Sequence, residues 1–529
     1  MAETPTSGTL RSLALRTYRN DTRLQWALLA FMLVFYGALM RGAWGQSEQT
    51  VAWNYTFNSM LAHLMHGQFD VDPQIVGWEE GFLRNGRTYS YFGIWSALLR
   101  LPLWIIGRMD VDLVLPSCIV AACIAGMAKV RAILLVRRHA AQNPIARSAV
   151  FLMLLYVLFG GSGIGNLNAS MYLEVILWAY AFASIFVYLA VKGIVNRSFT
   201  LRSLCAMALC AGLALNTRVS TGIGLILAFA LLLIALTAYP FAARTPNPRD
   251  SRPTARFSPV RSFFRALAAR RTLVPAGILS ALMAVSGTVN YFRWGSPFTF
   301  ANWDLYLNWA PSPGSLAWWL SPILAKMHAY GAFNLVRIPF NLVYYFCPFW
   351  ALRDIDDGAL FNSYWGRTMN GIELPPSSFF LTDLFVFCFI ALLAVALWRH
   401  RKRAFSPAAR SAAAVAIGLL APCILMLTAM WVAYRYRMEF YPEFQFLAFL
   451  GLYLTVTDDK MLALFARFRK GIIAALVLSV ASSFFFLFLV DVGLPMPPAY
   501  GGRPLVAYYR MVAAQHIQQI IARHFASHP

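Results

Sequence analysis

Eleven apolar runs of about 17 residues or more divide this chain, at 24–40, 111–129, 148–164, 172–191, 203–218, 220–240, 272–291, 379–398, 411–431, 441–457 and 471–490. A helix of about 20 residues crosses the roughly 30 Å hydrocarbon core of a bilayer, and inside lipid the backbone must satisfy its own hydrogen bonds. Open sheets and irregular spans are thereby excluded. The runs predict an all-α polytopic membrane protein of about 11 transmembrane helices. Composition agrees: 59% of the residues are hydrophobic and 13% charged, against about 25% charged in a soluble domain.

Charge then orients the spans. The first 23 residues carry four arginines, and the first apolar run lacks a small-residue cleavage site, which predicts a retained span with its N-terminus inside. On that reading the inner segments 1–23, 129–147, 192–202, 241–271, 399–410 and 458–470 hold 29 of the 45 Lys and Arg residues and five of the 22 acidic ones. The net charge of +23 is then mainly topology with some attraction to anionic lipid, and nucleic acid is not an expected partner. The seven cysteines lie in or beside apolar stretches without CxxC spacing, so neither a disulfide framework nor a zinc site is expected.

The expected organisation is a cytoplasmic N-terminus at 1–23, a transmembrane core at 24–291 with a first outer loop at 41–110, a second long outer loop at 292–378, C-terminal transmembrane helices at 379–490 and an outer amphipathic tail at 491–529. The inner connections are short and basic, whereas both long outer loops are rich in Trp, Tyr, Asn, Asp, Gly and Pro. Long ordered loops usually carry function. In the first, VAWNYTFNSMLAHLMHG sets Val51, Tyr55, Asn58, Leu61 and Met65 on one stripe, predicting a helix in the membrane interface. In the second, the apolar stretch from Trp318 is broken by Pro339 and Pro348, which predicts interfacial or re-entrant pieces rather than a clean span.

Two outer segments carry chemistry. FDVDPQIVGWEEGFLRNGRTYSYFG, residues 69–93, crowds four carboxylates and a turn at Asn85–Gly86 among aromatic rings. A carboxylate at such a face can take a proton from an acceptor hydroxyl or bind a hard divalent ion. Asp70 and Asp72, at i and i+2 of an extended segment, face one side and suit either use. Glu79 and Glu80 follow, and Glu48 lies just beyond the first span. Tyr89 and Tyr91 offer rings on which a sugar can stack. The second segment, WVAYRYRMEFYPEF at 431–444, places Arg435 and Arg437 among Tyr434, Tyr436 and Glu439, with Arg218 of LNTRVS at another outer span end. Guanidiniums outside run against the positive-inside trend, and a phosphate accounts for them. The alternative is local pairing with Glu439 and Glu443. The histidine pairs 63/66 and 516/524 show no metal spacing.

With its inside N-terminus, acidic first outer loop, NGRTYSYFGIWSALLRLP and late YRYRMEFYP, the chain resembles the GT-C superfamily of polytopic glycosyltransferases. The resemblance implies an inverting enzyme of a bacterial cytoplasmic membrane, with its active site on the periplasmic or extracellular face. Sugar would pass from a polyprenyl-phosphate carrier to a glycan, lipid or protein acceptor of the envelope, as in arabinosyl- or mannosyltransferases. It implies Asp70 or Asp72 as the base with Glu48 in reserve, and donor phosphate held by Arg435, Arg437 and Arg218. The sugar or acceptor would meet Glu79, Glu80, Tyr89, Tyr91, Tyr434, Tyr436 and Glu439. No cofactor is required by such a mechanism, although Asp70 and Asp72 could hold Mg or Mn. No Walker loop or GxGxxG fingerprint is found. A transporter or lipid flippase is the rival reading, and an oligosaccharide ligase or polymerase the rival within enzymes.

Overall fold

The computed structural model describes residues 7–41, 52–140, 143–238, 270–307, 321–347, 368–369, 371–372, 377–401 and 406–491. Every apolar run is helical there: α1 (Ser7–Arg41), then, after the first loop with its helices α2 (Thr56–Met65) and α3 (Pro73–Glu80), α4 (Val114–Arg137), α5 (Pro144–Phe159), α6 (Met171–Val195), α7 (Leu201–Leu215), α8 (Val219–Ala238) and α9 (Arg270–Trp294). The second loop contributes α10 (Pro322–Tyr330) and α11 (Ile338–Phe346), and the bundle closes with α12 (Leu384–Arg399), α13 (Pro407–Thr428), α14 (Tyr441–Thr457) and α15 (Asp459–Asp491). Eight of these helices are long and apolar enough to cross a membrane by length and composition, and α7 and α12 are shorter apolar helices. The chain is an all-α polytopic membrane protein. Its only sheets among the described residues are two-stranded, and the seven cysteines are free.

The helices start where the sequence supplies caps. Asn143, Ser170, Thr200 and Ser406 each accept a backbone N–H of the first turn, and Pro144 and Pro407 occupy the helical position after the cap, where no N–H is needed. Helix α6 is the axis of the bundle: it packs on α4, α7 and α14, and nearly its whole length is buried. Helices α1 and α9 are peripheral, and α9 leaves Leu273, Val274, Met283, Val285 and Tyr291 bare on one flank. In lipid such a flank is at home.

The two long connections lie at one end of the bundle, called here the loop-bearing end. The first is fastened by a fully buried ion pair. Arg100 forms a two-pronged contact with Glu174 at the start of α6, donates from Nη1 to the Ser96 carbonyl at 2.9 Å and from Nε to Asn58 at 3.3 Å. Ser117 of α4 adds a third donor to Glu174 at 2.7 Å. A buried pair of this kind keeps its charges only because the remaining lone pairs are met. Gly93 completes the docking: a Cβ there would stand 2.1 Å from the Asn216 carbonyl oxygen, so only glycine lets the loop lie against the α7–α8 turn.

Helix α2 forms, but not as an interfacial stripe. Phe57, Asn58, Met60 and Leu61 are buried, while Met65 is exposed. Asn58 turns inward because its amide donates to the Met109 and Val111 carbonyls at 2.8 and 2.9 Å. The turn at Asn85–Gly86 is present, both residues having positive φ, and it joins β1 (Phe82–Arg84) to β2 (Arg87–Tyr89) as an antiparallel hairpin. The second loop breaks at Gly331, whose φ is 74°. Buried Arg337 then donates to the carbonyls of Gly331, Ala332, Thr368 and Thr428 at 2.8–3.1 Å, tying this loop to the end of α13. The tail at 491–529 falls outside the described residues except for Asp491, as do Glu48, His516, His524, most of 241–271 and large parts of 292–378.

Candidate functional site

A cavity of about 490 Å3 opens at the loop-bearing end. Its wall is assembled from Tyr91 and Phe92 of the first loop, Arg218 and Ser220 at the α7–α8 turn, Asn290 and Arg293 of α9, Trp303 of the second loop, and Trp431 and Tyr436 beyond α13. Tyr91, Phe92 and Gly93 of the 69–93 segment and Tyr436 of the YRYR segment therefore share one hollow, although they stand about 350 residues apart in sequence, while Asp70, Asp72 and Glu80 are not among its lining residues. A second, apolar groove of about 500 Å3 runs along the bare flank of α9 past Met283 and Tyr291. It shares Leu215, Ser286, Phe298 and Phe300 with the cavity, so the two spaces adjoin.

Tyr434–Glu439 forms a 3-10 helix. Three residues per turn separate side chains at i and i+2 by about 120°, and so Arg435 and Arg437 cannot close on one phosphate. Arg435 lies over the rings of Tyr172 and Tyr436, at 4.9 and 5.4 Å from their centroids. Arg437 turns into the protein, over Phe379 at 4.5 Å, with Nη2 donating to Thr382 at 3.2 Å. Burial there pulls its guanidinium below its ordinary value, partly offset by Tyr441 and Asp383. It lines no part of the cavity, which corrects the expectation of an Arg435–Arg437 clamp. Tyr434 likewise packs on Phe486, at 5.8 Å between ring centroids.

Arg218 is at the cavity as expected, but already engaged. Glu439 holds its Nε and also accepts from Ser220 and Thr221 at 2.7 Å each. Burial alone would lower the Arg218 guanidinium, but Glu439 and Tyr436 outweigh it and keep it above its ordinary value. Glu439 thus serves Arg218 rather than presenting itself to a sugar. The sequence offers Glu439 as a sugar or acceptor contact, or alternatively as a local partner of Arg435 and Arg437 four and two residues away; the tertiary fold gives it Arg218, 221 residues away.

The first loop's carboxylates divide. Asp70 and Asp72 face the same side, as their spacing predicts, and they meet His63: Asp70 Oδ1 lies 3.2 Å from Nδ1 and Asp72 Oδ1 3.4 Å from Nε2. Arg87 stands 3.6 Å from Asp70, and the Ser59 hydroxyl donates to Asp72 at 2.8 Å. His63 is the hub of this cluster. Between the aspartates Val71 turns into a small core with Phe92, Val175 and Val289, residues that also wall the cavity. Asp70 and Asp72 consequently point away from it. They address opposite nitrogens of one ring, and among the described residues no group of three His, Cys, Asp or Glu could hold a metal ion.

Glu80 goes the other way. It is buried, accepts the Tyr172 hydroxyl and, at 3.4 Å, that of Tyr306, and stands beside Tyr91. Burial, with Glu80 next in effect, raises the Tyr91 phenol well above its usual range, so it remains a proton donor. Tyr91 also packs against Trp303 at 5.6 Å, and Trp303 against Trp431 at 5.0 Å, which gives the cavity an aromatic side. Tyr89 lies behind this wall against Trp294, at 6.0 Å. The side chain of Glu79 is outside the described residues, and so is Glu48.

Sequence reasoning missed Arg293, Trp303, Trp431 and Tyr172. The richness of the second loop in Trp and Tyr pointed toward Trp303, whereas Arg293 looked like the ordinary basic end of a span.

No family model matches the sequence, and no curated protein does. Among solved structures the chain is similar to the archaeal oligosaccharyltransferase AglB from Archaeoglobus fulgidus, in complex with an inhibitory peptide and a dolichol-phosphate. The identity is 14%, the TM-score 0.38, and the match covers 88% of this chain and 55% of that one. The chain thus spans about half of the length of that enzyme, and a likeness of this size fixes neither activity nor substrate.

Proposed function

We propose that the protein is a membrane glycosyltransferase of GT-C type, which moves a sugar from a polyprenyl-phosphate donor to an envelope acceptor at the loop-bearing face. That face is taken as the periplasmic or extracellular one of a bacterial cytoplasmic membrane. The observation that carries the reading is the junction of two spaces. A largely apolar, aromatic-walled cavity that also presents Arg218, Arg293, Asn216 and Asn290 adjoins an apolar groove on the bare flank of α9. Such a pair suits a molecule that is half prenyl chain and half phosphosugar.

In this mechanism a first-loop carboxylate takes the acceptor hydroxyl proton. The acceptor oxygen attacks C1, and the C1–O bond to phosphate breaks with inversion. The electron pair leaves on polyprenyl phosphate, which needs no protonation at neutral pH, so preorganised cations suffice for the leaving group. Glu80 is the proposed base, since it stands next to Tyr91 in the cavity wall, and Asp70 and Asp72 follow it. Tyr91, Trp303 and Tyr436 supply the surfaces for sugar and acceptor. Sugar and acceptor could be a pentose or hexose and a glycan, lipid or protein, and Mg or Mn is not needed by the scheme.

The test uses purified protein, radiolabelled polyprenyl-phosphate sugar and candidate acceptors, comparing wild type with Glu80→Gln, Asp70→Asn, Asp72→Asn and Glu48→Gln. Label that reaches no acceptor but crosses a liposome bilayer would replace this reading with transport.

A further inference from the structure

Inside the helix bundle a set of polar groups serves neither the loop-bearing cavity nor the proposed chemistry. Lys129 of α4 lies eight residues before the Arg137 end of its helix. A lysine near a span end ordinarily snorkels toward that end, whereas a helical side chain leaves its backbone toward the helix N-terminus. Lys129 is held the second way: its Nζ donates to the Tyr180 hydroxyl of α6 at 3.2 Å and stands 5.2 Å from the centre of that ring. Gln445 of α14 reaches the same hydroxyl with Nε2, while its Oε1 is buried without a hydrogen-bond partner. Both contacts use the Tyr180 oxygen as acceptor, so the Tyr180 hydrogen is left over as well. Turning the amide over gives that hydrogen to Oε1 but strands Nε2, so one amide atom stays unmet either way.

A second group adjoins the first, since Tyr441 packs on Tyr180 at 6.0 Å between ring centroids. Its centre is Asp383, fully buried just ahead of α12. Asp383 accepts the Tyr156 and Tyr441 hydroxyls at 2.5 and 2.7 Å and that of Thr382 at 2.5 Å. A small cavity of about 20 Å3 is lined by Tyr156 and Tyr441 from this group and by Lys129, Tyr180 and Gln445 from the other. That is room for one water, which inside a protein takes two to four polar partners. We propose that this cavity is a binding site for a single water, which joins Lys129 to Asp383 as a water-separated ion pair. The water accepts from Lys129 Nζ or Tyr180 and donates to the unmet Gln445 oxygen and to the oxygen of Tyr156 or Tyr441. Those two oxygens are open to it because each has given its hydrogen to Asp383. Two opposite charges buried in a membrane bundle are costly unless they are paired and hydrogen-bonded, and the water supplies the link that their separation leaves out. The pair also braces the loop-bearing site from behind. Thr382 accepts from Arg437 at 3.2 Å and Asp383 holds Tyr441, and these two flank Glu439, the partner of Arg218. The inference is independent of the transferase reading.

The experiment has two readouts, both on the full chain. A cryo-electron microscopy map in nanodiscs, at a resolution where buried waters are seen, should show one water-sized peak within hydrogen-bond reach of Lys129 Nζ, Gln445 and one of the two tyrosine hydroxyls. No peak there while other interior waters are visible overturns the proposal, and so does density too large for a water. Thermal unfolding in detergent should show that the two charges are coupled. Lys129→Met and Asp383→Asn should each lower the unfolding temperature, and the double variant should lower it by clearly less than the two drops added together. Lys192, whose ammonium lies over Tyr188 at 6.0 Å, is the control: Lys192→Met should add to Asp383→Asn without coupling. Additive losses for Lys129 and Asp383, or equal coupling with Lys192, overturn the ion pair. The map needs no variant, so a Lys129→Met protein that fails to fold does not shield the idea.

Discussion

Asp70 and Glu80 sit ten residues apart in one loop and are alike in charge, yet they occupy opposite sides of a small core. Asp70 and Asp72 gather on His63 and Arg87, with Asp72 about half exposed. Glu80 is enclosed by Tyr172, Tyr306 and Tyr91, and of these only Tyr91 lines the cavity. Val71, buried among Phe92 and Val289, separates the two groups. Proximity in sequence and shared acidity do not place carboxylates in one site; the direction each backbone segment takes over the core does.

The contrast can be broken most directly by kinetics. Glu80→Gln should lower sugar transfer by about 10²- to 10⁴-fold, the usual contribution of a positioned general base, while Asp70→Asn and Asp72→Asn change it less than about threefold. Steady-state rates with radiolabelled donor decide this, and the reverse order would move the base to the aspartates. A second test concerns the pin on which both groups depend. Glu174→Gln leaves Arg100 buried without its counter-charge and should cost about 3–5 kcal/mol, seen as a large drop in thermal unfolding temperature in detergent. If stability barely changes, the first loop is held by something other than this pair.

Smaller effects sharpen the picture further. Trp303→Leu removes an aromatic face of the cavity, a contribution of about 0.5–1.5 kcal/mol, and should raise KM for the donor several-fold with kcat nearly unchanged. Asp72→Asn, at a side chain 52% exposed, should shift stability by less than about 1 kcal/mol in chemical denaturation. An Asp72 effect larger than that of Trp303 would show that the His63 cluster is more than a solvated surface group.

Much of this was legible in the chain. Lipid admits few structures, so eleven apolar runs predicted eleven helices, and their caps at Asn143, Ser170, Thr200 and Ser406 follow local rules. The alternation that puts Asp70 and Asp72 on one side, and the turn at Asn85–Gly86, are equally local. The pairings were not legible. Arg218 finds Glu439, Arg100 finds Glu174, and Tyr172 finds Glu80 across separations of 221, 74 and 92 residues. The divergence of Arg435 and Arg437 depended on a 3-10 rather than an extended backbone. Arg293 carried no signal because a basic residue at a span end is ordinary; only the fold shows it buried in the cavity wall with its Nη1 on the Phe92 carbonyl.

The sequence by itself determined that the protein is helical and membrane-spanning and which loops are long, because hydrophobicity and backbone hydrogen bonding act segment by segment. The tertiary structure alone decided which acidic and basic groups face a common space and which neutralise one another first. Those outcomes depend on side-chain direction and on charge balance inside a low-dielectric cavity, and both are properties of packed helices rather than of any stretch of residues.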